Sequence, residues 1–231
     1  FGAQYPITMG AYQTNWHGGA TDIAVTKYDT TGTFLIWSTY IGGAAAEMPH
    51  SLIVDQYDQL VLLGTSASAD YPTSSGAFDN SFGGGTAFTP AGLGLTYPTG
   101  CDMVVTKLNS TGSAILGSTF LGGSNNDGLN SATALKFNYA DEVRGEVLLN
   151  SANDVWIVSC TESSDMPITI GAAQSGFAGG SHDGYVARLS PNLDQLLYAS
   201  YIGGSGAEAA YNGTVDTQDR LYVCGGTTST D

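Results

Sequence analysis

"STYIGG" occupies Ser38–Gly43, "STFLGG" follows at Ser118–Gly123, and "ASYIGG" at Ala199–Gly204. Gly42 to Gly122 is 80 residues and Gly122 to Gly203 is 81. A period that steady makes the chain a tandem array, and repeats decide a fold before any single residue does. Working outward from the Gly pairs, three more blocks fall into register. Upstream lie "TDIAVTKYDTTGT" (Thr21–Thr33), "CDMVVTKLNSTGS" (Cys101–Ser113) and "HDGYVARLSPNLD" (His182–Asp194). Further upstream are "YPITMGAYQ" from Tyr5, "YPTSSGAFD" from Tyr71 and "MPITIGAAQ" from Met166. Downstream, "SLIVDQYDQLVLLGTSASAD" from Ser51 matches "NGTVDTQDRLYVCGGTTSTD" from Asn212, and the middle copy from Ser131 is stretched around Tyr139–Glu146.

Each unit reads as four strands. The alternating "IAVTKY" leads through a Gly or Pro turn to "FLIWSTYI", which the Gly pair closes. Two more strands flank the tight turn "QYDQ", where Asp and Asn suit the turn positions. A Pro-bearing segment then crosses to the next unit, and Pro suits a crossover better than a central strand. Four short antiparallel strands per unit, repeated in tandem, predict an all-β chain of β-propeller blades, with units near 5–70, 71–165 and 166–231. Adjacent large apolar residues in the second strand (Leu35 and Ile36, Ile115 and Leu116, Leu196 and Leu197) suggest packing on both faces between neighbouring blades. The Gly pair is expected to leave that strand by φ values other residues avoid. The opening "FGAQ" reads as the tail of a preceding unit and the closing "TTSTD" as a unit junction, so further blades of a longer chain, or partner segments, are expected to complete a ring.

Composition agrees with strands: Gly at 32, abundant Ser and Thr, and only 12% charged residues. With 21 acidic against 6 basic residues the net charge is −15. Such a charge repels phosphate backbones and anionic lipid and argues against nucleic-acid binding. No stretch nears the roughly 18 consecutive apolar residues of a membrane helix, so no direct membrane insertion is expected. Nor does the chain open on a basic region followed by an apolar one, as a signal peptide would. Cys101, Cys160 and Cys224 lack metal or redox spacing; one disulfide plus a free thiol, or three buried thiols, are both open.

Taken together, D-x-x-V-x-K-L, T-G before S-T-Y-L-G-G, V-D, and Y-P-T with G-A-[FY]-Q resemble the bacterial seven-bladed beta-propeller repeat family along essentially the whole chain. The stretched middle unit, with "NYADEVRGEV" at Asn138–Val147, is similar to the form found in large surface proteins of gliding bacteria that leave by type IX secretion. The resemblance implies a propeller fold and a secreted, outer-membrane-associated cell-surface location, and implies no activity. "TAFTPAGLGLTYPTG" at Thr86–Gly100 and "SPNLD" at Ser190–Asp194 depart from the pattern in their loops.

No catalytic or metal-binding residue is assigned. "GGSGA" and "GGSNN" lack the closing Gly of a nucleophile elbow, and His17, His50 and His182 fall at three different repeat positions. Lys27, Lys107 and Arg188 recur at one position, which argues for a structural job, such as reaching along an apolar face to a carboxylate. Asp55–Asp58, Asp216–Asp219 and Asn125–Gly128 offer oxygen ligands of the kind Ca²⁺ uses, without EF-hand spacing; turn chemistry explains them as well. Candidate binding residues lie where the copies differ: Asp141, Glu142, Arg144 and Glu146 in the middle insert, and Tyr97 in the Thr86–Gly100 insert. The same acids and arginine also suit a self-paired hairpin.

The expected function is non-enzymatic: an adhesive, structural or binding module that meets a protein or polysaccharide at the cell surface. The alternatives are a carbohydrate-active propeller enzyme with catalytic groups partly outside this segment, and a client of the secretion machinery.

Overall fold

The computed structural model describes residues 5–231; the opening FGAQ, read above as the tail of a preceding unit, lies outside the described residues. Strand accounts for 38% and helix for 3%, so the class is all-β. The strands are β1 (Ile23–Tyr28), β2 (Leu35–Ile41), β3 (Glu47–Val54), β4 (Leu60–Ser66), β5 (Asp102–Leu108), β6 (Ile115–Leu121), β7 (Glu146–Leu149), β8 (Val155–Thr161), β9 (Asp183–Leu189), β10 (Leu196–Ile202), β11 (Glu208–Val215) and β12 (Leu221–Thr227). They form four antiparallel sheets in chain order: β1–β2, β3–β4–β5–β6, β7–β8–β9–β10 and β11–β12.

The four strands per unit are present, but their grouping is shifted by two. Each four-stranded sheet takes the last two strands of one repeat and the first two of the next. The Gly pair is the reason: it ends β2, β6 and β10 at a step onto the neighbouring sheet, not at a hairpin within one. The Pro-bearing crossover meanwhile brings the next first strand back beside the fourth. That crossover also covers the outer edge. Thr8, Ser74 and Thr169 donate backbone N–H groups to Ser38, Ser118 and Ala199 at 3.3, 2.9 and 3.4 Å. Edge strands left bare invite pairing with other chains, and β2, β6 and β10 are thereby protected.

The central strands carry two cores at once. Leu60 and Leu62 of β4 join Ile23, Val25, Trp37 and Ile41 of the β1–β2 sheet. Val61 and Leu63, one residue out of step, join Val147, Val155, Ile157 and Tyr185 of the β7–β10 sheet. Val158 and Val186 then pack with Ala210 of β11. Side chains alternate between faces at each residue, so a strand between two sheets must be apolar throughout.

The apolar pairs in the second strand have a different cause. Lys27 pairs with Trp37 and Tyr28 with Leu35, leaving Ile36 unpaired; Leu116 and Leu197 are skipped in the same way. Each is the extra residue of a β-bulge, and it points to solvent at 52%, 45% and 38% exposure. Packing on both faces runs the length of β4, β5, β8 and β9, and in β2 and β6 it covers the five residues after the bulge.

The strands β3, β7 and β11 lie side by side along the stack. Ser51, Glu146 and Asn212 occupy one repeat position on them. The Ser51 hydroxyl donates to one Glu146 oxygen and Asn212 Nδ2 to the other, the latter at 3.3 Å. No helix among the described residues is long and apolar enough to cross a membrane.

Candidate functional site

The Gly pairs stand over carboxylates in all three repeats. A Cβ on Gly42 would come within 2.6 Å of Glu47 Oε2 and 2.7 Å of Asp22 Cγ. On Gly122 it would meet Asp102 Cγ at 2.7 Å, and on Gly203 Glu208 Oε2 at 2.6 Å and Asp183 Cγ at 2.7 Å. None of these six glycines has positive φ. The pair is therefore glycine for want of space above two carboxylates, and the expected φ requirement is corrected.

Each repeat builds the same network around an acid four residues beyond the second glycine. Gly43 N donates to Glu47 Oε2 at 3.2 Å, Gly123 N to Asp127 Oδ2 at 2.7 Å, and Gly204 N to Glu208 Oε2 at 3.0 Å. Hydroxyls from the end of the fourth strand complete it. Ser66 and Ser68 donate to Glu47 Oε1, Thr161 and Ser163 to the two oxygens of Asp127, and Thr227 and Ser229 to Glu208 Oε1. Asp70, Asp165 and Asp231 then accept the backbone N–H groups of Ala44, Ser124 and Ser205 at 2.9, 2.9 and 3.1 Å. The written signal is [ST]-x-S-x-D (Ser66, Ser68, Asp70; Thr161, Ser163, Asp165; Thr227, Ser229, Asp231) with G-G-x-x-x-[DE]. Both recur in the sequence, and motif reading aimed at nucleophiles and metals passed over them.

These acids are enclosed. Glu47, Asp127 and Asp183 are fully buried, and Asp102 nearly so. Burial pushes Glu47 and Asp102 each up to about 7, and Asp127 well above the carboxylate range. Asp22 and Asp183 are also raised by burial, and each keeps one buried oxygen without a donor. At Glu208, burial is outweighed by bonds from Ser229, Thr227 and Gly204, which hold its carboxyl below the usual value. Such acids can hold a proton and tie strand ends, but no substrate reaches them. Among the described residues no group of three or more His, Cys, Asp or Glu is placed to hold a metal ion. In the acidic hairpins the side chains serve the turns: Asp55 Oδ1 accepts Tyr57 N and Gln59 N at 2.8 and 2.9 Å, and Asp216 Oδ1 accepts Gln218 N and Arg220 N at 2.9 and 3.0 Å.

The recurring basic residues reach carboxylates along the sheet face: Lys107 Nζ lies 3.0 Å from Asp55 and Arg188 Nε 3.9 Å from Asp154, while Lys27 meets Asp58 at 2.5 Å. Cys101 and Cys160 are free and buried, with their thiols pushed well up and up to about 12, and Cys224 is free and exposed. His182 is buried and His50 half-buried, and the loss of solvation around each imidazole depresses both to about 4.

The two inserts meet. Ala91 N of the first donates to Glu142 of the second, and Glu142 also holds Lys136. Tyr97, fully buried, donates to or accepts from Thr65 Oγ1 at 3.1 Å in a core with Leu95, Leu129 and Val143. Asp141, nearly buried, accepts Phe137 N at 2.8 Å, Asn138 N at 3.1 Å and Arg144 Nη1 at 3.2 Å, so its carboxyl sits low despite burial. Three of the five candidates, Tyr97, Asp141 and Glu142, thus brace the inserts from within. Arg144 stays half exposed, its guanidinium 5.5 Å from the ring centre of Tyr211 on β11, and Glu146 stands on the line where β3, β7 and β11 meet. No protein-family model matches the chain and no curated protein matches it significantly, so the resemblance to the propeller repeat family rests on the quoted motifs.

Proposed function

We propose that the chain is a run of β-propeller blades serving as a non-enzymatic binding module of a bacterial surface protein. The face built by the inserts meets the ligand. Stacked sheets whose innermost strands share one line, and whose outermost edges are covered by the crossovers, support the propeller reading. One observation carries the binding reading. The carboxylates common to all repeats are enclosed and tied down, whereas the features peculiar to one copy converge. They bring Arg144 over the Tyr211 ring and Glu146 beside Asn212 on the inner strands. Rigid scaffolds with copy-specific loops place recognition on those loops. A half-exposed arginine over an aromatic ring, beside an amide and a carboxylate, suits a polysaccharide: a flat apolar face with convergent donors and acceptors. The high net negative charge suits a protein that stays dispersed outside the cell.

The test is a glycan array probed with the 231-residue protein and with Arg144→Ala and Tyr211→Ala. Retention of a glycan class by the parent and its loss in both variants is the expected result. Equal retention in all three would overturn the site. Glycan cleavage abolished by Glu146→Gln would replace binding with the carbohydrate-active reading.

A further inference from the structure

A polar pocket of about 330 Å³ opens between the first crossover and the loop that leads from β4 into the second. Tyr12 and Pro72 give it two flat walls, Thr14, Asn15, His17 and Asp70 give it hydrogen-bonding groups, and Gly42 lines it without a side chain. It adjoins the complete sheet β3–β6: Tyr12 N donates to Gly112 O, in the turn between β5 and β6, at 2.9 Å. Its lining residues belong to neither insert. We propose that this pocket binds one neutral pyranose unit of a glycan. The proposal goes beyond the site at the inserts and rests neither on that site nor on the propeller reading.

The frame under the pocket recurs and its lining does not. Gln13, 6% exposed, is the central beam: its Nε2 donates to Asn15 O at 3.1 Å and to Asp22 Oδ2 at 3.2 Å, and its Oε1 accepts Gly42 N at 3.2 Å. Gln174 repeats all three bonds, to Gly176 O at 2.9 Å, to Asp183 Oδ2 at 3.1 Å and from Gly203 N at 2.9 Å. Yet around Gln174 stand Ala173, Ser175, Gly176 and Ala178, where the first copy has Tyr12, Thr14, Asn15 and His17. The frame is thus built without that ring, amide and imidazole, and the fold does not call for them. Nor does the opening come from a missing neighbour. At the next joint, flanked by sheets on both sides, Asn80, Ser81, Gly83 and Asp165 hold the repeat positions of Thr14, Asn15, His17 and Asp70, and they are exposed as well.

The chemistry of the lining selects a neutral sugar. A pyranose presents an apolar face of C–H groups with hydroxyls around its edge, so it needs a flat apolar wall beside donors and acceptors held in place. Tyr12, 37% exposed, and Pro72 supply the wall. The volume falls at the lower end of the range for small-molecule sites, which begins at roughly 300 Å³, and suits a single ring. Bonds to the surrounding chain hold the polar groups before any ligand arrives. His17 N donates to Asp22 Oδ2 at 2.9 Å, Tyr40 N to Gln13 O at 3.1 Å, and Ala44 N to Asp70 Oδ1 at 2.9 Å, which fixes the exposed carboxylate at the rim. Preorganisation of this kind lowers the ordering cost of binding. Asp70 at the rim, on a chain of net charge −15, turns away uronates and sulfated sugars.

The experiment titrates the nitrogen-labelled 231-residue protein with the methyl glycosides of glucose, galactose and mannose, with methyl glucuronide, and with arginine amide, following backbone amide shifts by NMR. At least one neutral glycoside should move the amides of Asn15, His17 and Ala44 along a saturable curve, and the glucuronide and arginine amide should not. Tyr12→Ala and Asn15→Ala, both at exposed positions, should abolish the shifts with an unchanged melting temperature, whereas Tyr12→Phe keeps the ring and should keep them. The amides of Arg144 and Tyr211 in the same spectra report the insert site separately, so the failure of either site is read apart from the other. No saturable shift from any neutral glycoside would overturn the proposal. An equal response to the glucuronide, a response to arginine amide alone, or shifts that survive in both alanine variants would do the same.

Discussion

The two middle sheets and the two end sheets are written in nearly the same letters and live in different surroundings. Leu63 on β4 is fully buried, whereas Cys224, the same repeat position on β12, is exposed. Glu47 is fully buried with its carboxyl raised to about 7; Glu208, bonded by the same kinds of hydroxyl and amide, is held below its ordinary value. What separates them is the sheet on the far side. In a stacked array, burial belongs to the neighbour as much as to the residue, and stability is shared through interfaces between repeats.

The strongest test of that contrast is truncation at one position in both settings. Leu63→Ala removes buried methyl groups from the core between two sheets and should cost roughly 2–5 kcal/mol by denaturant unfolding. Cys224→Ala, measured in dilute protein, should change stability by no more than about 0.5 kcal/mol. Equal losses would mean that the end sheet is already covered.

Next in size is a contrast in sign with pH. For Glu47 the folded carboxyl lies near 7 against an unfolded value of 4.5, so the folded state binds the extra proton. Its contribution to stability therefore falls as pH rises from about 4.5 to 7, by on the order of 3 kcal/mol. Glu208 is depressed below 4.5, so its stabilisation is present above that value and is lost as pH falls through the folded one. The stability of Glu47→Gln relative to the parent should consequently improve between about pH 4.5 and 7. That of Glu208→Gln should stay level over the same range and improve only in more acid solution. Thermal melts of the three proteins across pH read both; matching profiles would show that the two acids share one environment.

Smaller again is the Gly pair. A Cβ at Gly42 meets two carboxylates, and because both are held by several donors they cannot simply swing aside. Gly42→Ala should cost roughly 1–3 kcal/mol, as overpacking does. No change in melting temperature would place the cause elsewhere, in backbone freedom in the unfolded chain.

Period, strand number and class were legible because the letters recur with their chemistry: turn residues at turns, apolar runs in central strands, Pro at crossovers. The grouping of strands into sheets was not, since a repeat can be cut at any phase and hydrogen bonds alone choose the seam. The carboxylate centre was written three times over in [ST]-x-S-x-D. Its acids vary between Asp and Glu, though, and they meet across neighbouring sheets, so only the fold makes Asp22 and Glu47 neighbours. The inserts announced themselves by being unmatched, but nothing in "YADEVRGEV" says that Glu142 turns inward to Ala91 while Arg144 stays out.

The least effect is expected where middle and end do not differ. Ile36, Leu116 and Leu197 each occupy the skipped place of a bulge, and all three point outward whether their sheet has four strands or two. A bulge is set by local pairing with the adjacent first strand, which every sheet holding a second strand possesses, so a missing neighbour sheet leaves it unchanged. Replacing Leu116 by Ser should move unfolding free energy by no more than about 0.5 kcal/mol, and Ile36→Ser on the end sheet should match it. A large loss at Leu116 alone would show that a further surface lies on the bulged face of the middle sheet. The contrast between middle and end would then reach the outer rim as well as the stacked faces.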